Sequence, residues 1–103
     1  MTAPDVDDFD TELRRVVDRL RSMPMSRLPG VEQTVRQACL ELLDVSSSLG
    51  DPAPALLPSL RPTAAGDQVA VLGADVRDAA LRRSDAAALA AATTILTGLR
   101  RAL

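Results

Sequence analysis

The sequence contains no histidine, lysine, tryptophan or tyrosine, and Cys39 is its only cysteine. Histidine is the commonest general base near neutral pH, and lysine is the usual Schiff-base residue, so conventional acid–base and covalent mechanisms lack their residues. A zinc site would need cysteine and histidine ligands that are missing here. We therefore expect a protein that is not an enzyme and that binds neither a metal nor a cofactor.

The single cysteine also excludes a disulfide within the chain, which favours a reducing, cytoplasmic location. The N-terminus lacks the basic region and apolar run of a signal peptide. No apolar stretch reaches the ~18 residues that a membrane span requires. The net charge of −2 argues against binding to nucleic acid or to an anionic membrane. The sequence thus predicts a cytoplasmic protein without nucleic-acid or membrane partners.

Strand-forming residues are scarce, since Phe9 is the only aromatic residue and Ile95 the only isoleucine. Alanine and leucine dominate instead, and both favour helix. Hydrophobic residues make up 47% of the 103 residues, which suits one globular domain. A strand at 69–72 is the alternative interpretation, but no second strand is available to pair with it. Composition therefore predicts an all-α fold.

The spacing of apolar residues predicts four helices, at about 4–22, 31–49, 64–82 and 85–102. The second has the clearest pattern, an apolar seam that advances alternately by four and three residues: Val31, Val35, Ala38, Leu42, Val45 and Leu49. We expect Thr2 and Ser84 to be N-caps, Gly50 to end the second helix, and Gly73 to allow close contact between helices.

The segment from Gly50 to Pro62 contains four prolines and three leucines, which predicts an ordered crossover between helices two and three. Short turns elsewhere favour antiparallel neighbours. The predicted fold is thus a compact, mostly antiparallel four-helix bundle with a Pro-rich crossover loop.

Several apolar residues break the amphipathic pattern and are candidates for partner binding. Leu40 and Val71 point away from the predicted inner faces of their helices, and Met23 and Met25 occupy the first interhelical loop with Arg27. Methionine side chains adapt well to a partner surface. These residues favour a non-catalytic, helical protein-interaction module, with a protein partner or a second copy in a homodimer.

The alternative function is a small-ligand or anion-binding sensor. Arginines gather around the end of the first helix and the following loop, and Arg21 and Arg27 are the candidate ligands. Guanidinium groups bind phosphate and carboxylate groups through charge-assisted hydrogen bonds. Thermal stabilisation by such anions would distinguish this alternative from an interaction module.

Three segments carry a resemblance to a known group: 20–28 (LRSMPMSRL), 66–71 (GDQVAV) and 99–103 (LRRAL). Together they make the chain similar to a family of small, uncharacterised actinobacterial proteins of about this length. The resemblance implies an all-helical fold and gives added weight to Met23 to Leu28 and to Asp67 and Gln68. It implies no activity.

Overall fold

A computed structural model describes residues 5–50 and 64–103, which form four α-helices. These are α1 (Val6–Ser22), α2 (Leu28–Ser48), α3 (Ala65–Arg82) and α4 (Ala86–Ala102). The prediction of an all-α four-helix bundle is confirmed. The predicted crossover at 51–62 lies outside the described residues, and so do Thr2 and Pro4.

Helices α1 and α2 occupy opposite corners of the bundle. Each of them packs against both α3 and α4, and α3 and α4 also contact each other. Arg21 near the end of α1 pairs with Asp67 at the start of α3, while Asp10 pairs with Arg77. Helices α1 and α3 are therefore antiparallel.

Helices α2 and α3 run in the same direction. The Cys39 thiol lies 3.9 Å from the side-chain oxygen of Gln68, and Gly50 at the end of α2 lies beside Arg83 at the end of α3. A three-residue turn after α3 then reverses the chain into α4. Helix α4 consequently runs antiparallel to α2, and its last residues reach the level at which α2 begins.

The core lies between the four inner faces that the apolar spacing predicts. Its largest completely buried side chains come from every helix: Phe9, Val16, Cys39, Leu42, Val69, Val76 and Leu96. Val31 and Val45, at the edges of the α2 seam, are only partly buried and pack against this core. Aliphatic side chains and one phenyl ring thus supply the burial that stabilises the fold.

Helix α1 begins with a reciprocal pair of carboxylate caps. The Asp5 carboxylate accepts a hydrogen bond from the backbone N–H of Asp8 at 2.9 Å, and the Asp8 carboxylate accepts one from the N–H of Asp5 at 3.3 Å. Asp5, rather than the predicted Thr2, is therefore the N-cap. Aspartates also suit the positive end of the helix dipole.

Helix α2 begins at Leu28, three residues before the predicted start. Pro29 occupies its first turn. Backbone N–H groups of a first turn have no intrahelical acceptor, so a proline there costs no hydrogen bond. Pro29, which precedes the predicted helix at 31–49, therefore lies inside the observed helix. Gly50 ends the same helix with a positive φ of 87°, as predicted for that position.

Helix α4 is capped by Asp85, and the predicted N-cap Ser84 belongs to the preceding turn. The Asp85 carboxylate accepts a hydrogen bond from the N–H of Ala88 at 2.9 Å. Ser84 has a φ of 50°, a left-handed conformation that reverses the chain between α3 and α4. The cap is therefore one residue later than predicted.

Gly73 allows the close approach of α3 to α1 that the sequence predicts. A Cβ atom at this position would lie 2.6 Å from Cδ1 of Leu13, which is too short for two carbon atoms. The absence of a side chain at position 73 thus leaves room for Leu13 of α1 to pack against the α3 backbone.

Candidate functional site

A groove with a volume of about 540 Å³ lies between α2 and α4. Helix α2 forms one wall and α4 the other, and together they contribute nine lining residues: Gln33, Thr34, Gln37, Ala38, Glu41, Thr94, Ile95, Gly98 and Leu99. The described residues do not enclose the groove, so it suits an extended or helical partner better than an enclosed small molecule.

The walls of the groove follow from helical spacing. On α2, Gln33, Gln37 and Glu41 recur every fourth residue beside the buried seam, which places them in one row. On α4, Thr94 and Gly98 are also four residues apart. Because a Cβ at Gly98 would meet no atom within 4 Å, this glycine leaves the α4 wall open.

The chemistry of the groove is polar at its walls and apolar at its floor. Carboxamide and hydroxyl groups and the single carboxylate of Glu41 offer hydrogen bonds, while Ala38, Ile95 and Leu99 offer apolar contact. None of the lining residues is a cysteine, serine, histidine or lysine. The lining can therefore bind a partner, but it lacks a nucleophile and base pair of the usual kind.

Cys39 lies outside this groove, in the core between α2 and α3. Its side chain is 0% exposed, and burial raises the pKa of the thiol to about 11. A nucleophilic cysteine needs an exposed group with a lowered pKa. Cys39 therefore contributes to packing as a small apolar side chain, which is the interpretation that its place beside the α2 seam favours.

The predicted partner-binding residues lie at separate places on the surface. Met25 is 73% exposed, Val71 61% and Leu40 41%, whereas Met23 is 7% exposed and packs into the bundle. Met25 belongs to the turn between α1 and α2, and Leu40 and Val71 belong to the outer faces of α2 and α3. None of these four side chains lines the groove.

The two candidate anion-binding arginines reach different partners. Arg21 donates a hydrogen bond to the Asp67 carboxylate at 2.7 Å, which neutralises its charge. Arg27 reaches across to the end of α4, where its guanidinium lies 3.5 Å from the backbone carbonyl oxygen of Leu103. Arg19 donates to the same oxygen at 3.1 Å. Arg27 and Arg19 thus contact the same oxygen atom at the end of α4, whereas Arg21 contacts α3.

A partly buried ion pair joins α1 to the end of α4. Arg100 donates two hydrogen bonds to the Glu12 carboxylate, at 2.7 and 3.3 Å. These bonds hold the pKa of Glu12 below its ordinary value and raise that of Arg100. All of the groups involved are satisfied, so the pair has a structural role.

Sequence reasoning did not identify the groove. Its signal is the spacing of Gln33, Gln37 and Glu41, which by itself looks like any solvated helix face. A second signal is the absence of charge from Ala86 to Leu99 in an otherwise highly charged chain. The two become one site only when α4 is known to lie beside α2.

Comparison with models of protein families, with curated proteins and with solved structures finds no match to this chain. Within residues 5–50 and 64–103, no helix is both long and apolar enough to cross a bilayer. The same residues bring together no group of three or more histidine, cysteine, aspartate or glutamate side chains that could hold a metal ion.

Proposed function

We propose that this protein is a non-catalytic helical interaction module that assembles with a second copy of itself as a cytoplasmic homodimer. One observation carries the proposal. Helix α4 has no charged residue from Ala86 to Leu99, yet five residues of this stretch are exposed, among them Thr94 and Gly98 in the groove wall. Surfaces that contact a partner are typically depleted of charge in this way.

The outer faces of the other helices differ from that of α4. Helix α1 exposes a series of acids and arginines that includes Asp7, Arg15 and Asp18, and α3 exposes Asp75, Asp78 and Arg82. Removing such charges from water without partners is costly. Of the described helices, α4 has the surface that a partner can cover at the smallest desolvation cost.

The absence of catalytic chemistry supports the non-catalytic part of the proposal. The chain has neither histidine nor lysine, and its one thiol is buried with a raised pKa. A protein with this composition acts more readily through its surface than through a reacting side chain.

Analytical ultracentrifugation of the intact protein tests the proposal. We expect a reversible monomer–dimer equilibrium in the micromolar range. A strict monomer throughout that range would contradict it. A Met25→Asp variant shows whether the loop between α1 and α2 is the contact instead, because an added carboxylate there would dissociate the dimer only if Met25 becomes buried.

Anion binding is the second candidate, and the convergence of Arg19 and Arg27 on the Leu103 carbonyl favours it. Two guanidinium groups near one oxygen can also bind a phosphate or carboxylate. Specific binding must raise the melting temperature. Inorganic phosphate should therefore raise the melting temperature of the wild type more than it raises that of the Arg27→Gln variant. Equal increases for the two proteins would exclude this site.

A further inference from the structure

Five arginines come together where the ends of α1 and α4 meet. Two of them contact the same atom, since Arg19 and Arg27 lie within 3.5 Å of the Leu103 carbonyl oxygen. A third, Arg100, belongs to the last turn of α4 and donates a hydrogen bond to the Glu12 carboxylate of α1 at 2.7 Å. We call this group the basic cluster, and its members are Arg15, Arg19, Arg27, Arg100 and Arg101.

Arg15 and Arg101 belong to the cluster because of their neighbours. Hydrogen bonds from Arg100 and the nearby charge of Arg15 both lower the pKa of Glu12. Arg101 follows Arg100 in the last turn of α4. The nearest acids on α1 are Glu12 and Asp18, so the cluster keeps an excess of three positive charges.

This excess of one sign distinguishes the cluster from the other unpaired charges of the surface. Glu32 and Arg14 also form no ion pair within the described residues, but a single exposed charge interacts with water and indicates no partner. Four exposed guanidinium groups of the cluster are unpaired with acids in the same part of the chain: Arg15, Arg19, Arg27 and Arg101. Like charges held close together repel each other, and a bound anion relieves that repulsion.

Arg19 and Arg27 keep most of their capacity to form hydrogen bonds. A guanidinium group has five N–H donors, and among the described residues each of these two uses one of them on the Leu103 carbonyl. Together they can therefore bind one carboxylate. Arg15 lies four residues before Arg19, about 6 Å along the same side of α1, where it can bind a second carboxylate.

We infer that the basic cluster is a docking surface for an acidic helix of another protein, whose carboxylates recur at every fourth residue. Such carboxylates lie about 6 Å apart on one face of their helix, which matches the spacing of Arg15 and Arg19. A guanidinium group binds a carboxylate through two parallel hydrogen bonds, so the cluster recognises the spacing of the acids as well as their charge.

Two features favour a short acidic segment over a longer polyanion such as a nucleic acid. Asp7 and Asp8 precede Arg15 on the same helix by about 10–12 Å, so a polyanion that continues along α1 meets like charges. The only aromatic residue, Phe9, is completely buried, so the surface offers no ring on which a base can stack. A short acidic segment ends before it reaches these aspartates.

This inference rests on the proposed function, a non-catalytic interaction module, and adds a surface apart from the uncharged stretch of α4. Fluorescence anisotropy of a labelled peptide of four Glu-Ala-Ala-Ala repeats, titrated with the full chain at about 50 mM salt, tests it. We expect saturable binding that weakens as the salt concentration rises. Arg15→Glu and Arg101→Glu should each weaken it about five- to tenfold. Neither arginine forms an ion pair within the described residues, so both variants should keep the helical circular dichroism spectrum.

Two controls separate the cluster from net charge. Arg83→Glu makes the same change of charge at the other end of the bundle, after α3, and should change the dissociation constant less than about twofold. A second peptide has the same composition but four consecutive glutamates. It should bind at least about threefold more weakly, because its carboxylates do not follow the spacing of the arginines.

The outcomes separate this inference from the proposed function. A protein that dimerises but does not bind the peptide overturns the docking surface while the interaction module stands, and a protein that does neither overturns both. An equal loss of binding in Arg83→Glu overturns the basic cluster as the site. Equal affinities for the two peptides overturn the fourth-residue spacing. Tighter binding of oligodeoxythymidine or of phosphatidylserine vesicles overturns an acidic protein segment as the partner.

Discussion

Two interfaces of the bundle contain a glycine that faces the neighbouring helix, and the two glycines have opposite surroundings. Gly73 lies between α3 and α1, where an added Cβ would collide with Leu13. Gly98 lies at the groove between α4 and α2, where an added Cβ would meet nothing within 4 Å. The first glycine lets two helices of one chain pack closely. The second leaves a space that none of the residues 5–50 and 64–103 fills.

The charges differ in the same way. The Arg21–Asp67 and Asp10–Arg77 pairs cross the α1–α3 interface, at 2.7 and 2.8 Å. The groove between α2 and α4 instead exposes the carboxylate of Glu41 without a pair among the described residues. The α1–α3 interface is therefore closed by contacts within the described residues, whereas the α2–α4 side keeps an open groove with an unpaired carboxylate.

Filling the closed interface should have the largest effect on stability. A leucine at position 73 must displace the Leu13 side chain and overfill the space between α1 and α3, so we expect Gly73→Leu to lower the free energy of unfolding by about 2–3 kcal/mol. Gly30→Leu is the matched control, since Gly30 also lies in a helix and has open space around it. It should be neutral or gain up to about 1 kcal/mol from helix propensity.

Urea denaturation followed by circular dichroism measures both free energies. Equal stabilities of the Gly73→Leu and Gly30→Leu proteins would show that the α1–α3 interface can absorb a side chain. The contrast between the closed and the open interface would then be lost.

The thiol of Cys39 reports how firmly α2 is held. Burial raises its pKa from the ordinary 9.0 to about 11, so at pH 8 the thiolate fraction falls about 100-fold. We expect iodoacetamide to alkylate the folded protein at least about 100-fold more slowly than the urea-unfolded chain. The physical cause is the loss of water around the sulfur, which disfavours the thiolate. Labelling at the rate of the unfolded chain would mean that α2 does not enclose the thiol.

The urea dependence of this labelling sharpens the comparison between the two interfaces. Local opening of α2 exposes little surface, so it depends weakly on urea, whereas global unfolding depends strongly on it. If the α2–α4 side is the less firmly held one, labelling at low urea should show the weak dependence. A strong dependence at all urea concentrations would show that α2 opens only when α1 and α3 do.

The helices could be predicted from the sequence because each buries one apolar face. Phe9, Val16 and Leu42 follow the 3.6-residue period and are buried as that period requires. Gly73 could also be interpreted correctly, since a glycine on the inner face of a helix has few purposes other than close packing. The period did not locate every helix start. Helix α2 begins three residues before the first apolar residue of its seam, and the cap of α4 is Asp85 instead of the equally suitable neighbour Ser84.

The groove could not be predicted because it depends on which helices are neighbours. Gln37 and Glu41 on α2, and Thr94 on α4, are ordinary exposed residues when each helix is considered alone. The sequence instead indicated exposed apolar residues such as Met25 and Val71, because an apolar residue outside the periodic pattern can be recognised without knowledge of the packing. A surface made by two helices becomes visible only with their packing.

The smallest expected effect concerns the ion pair that anchors the end of α4 to α1, and it appears as a dependence on pH. Hydrogen bonds from Arg100 lower the pKa of Glu12 below its ordinary 4.5 in the folded protein. The folded state therefore binds the proton less tightly than the unfolded state does. The stabilisation is present above the unfolded pKa and is lost as the pH falls through the folded pKa.

We accordingly expect Glu12→Gln to be less stable than the wild type at pH 7, with a smaller loss than Gly73→Leu causes. The stability difference between Glu12→Gln and the wild type should shrink as the pH falls below 4.5. Glu32→Gln is the control, because it makes the same substitution at an exposed α2 residue that has no ion pair among the described residues. Thermal melts between pH 3 and pH 7, at about 0.1 M salt to limit long-range charge effects, give the three profiles. A Glu12→Gln profile parallel to the other two would show that Arg100 contributes no stability through this carboxylate, and α4 would then depend on its core residues alone for its attachment to α1.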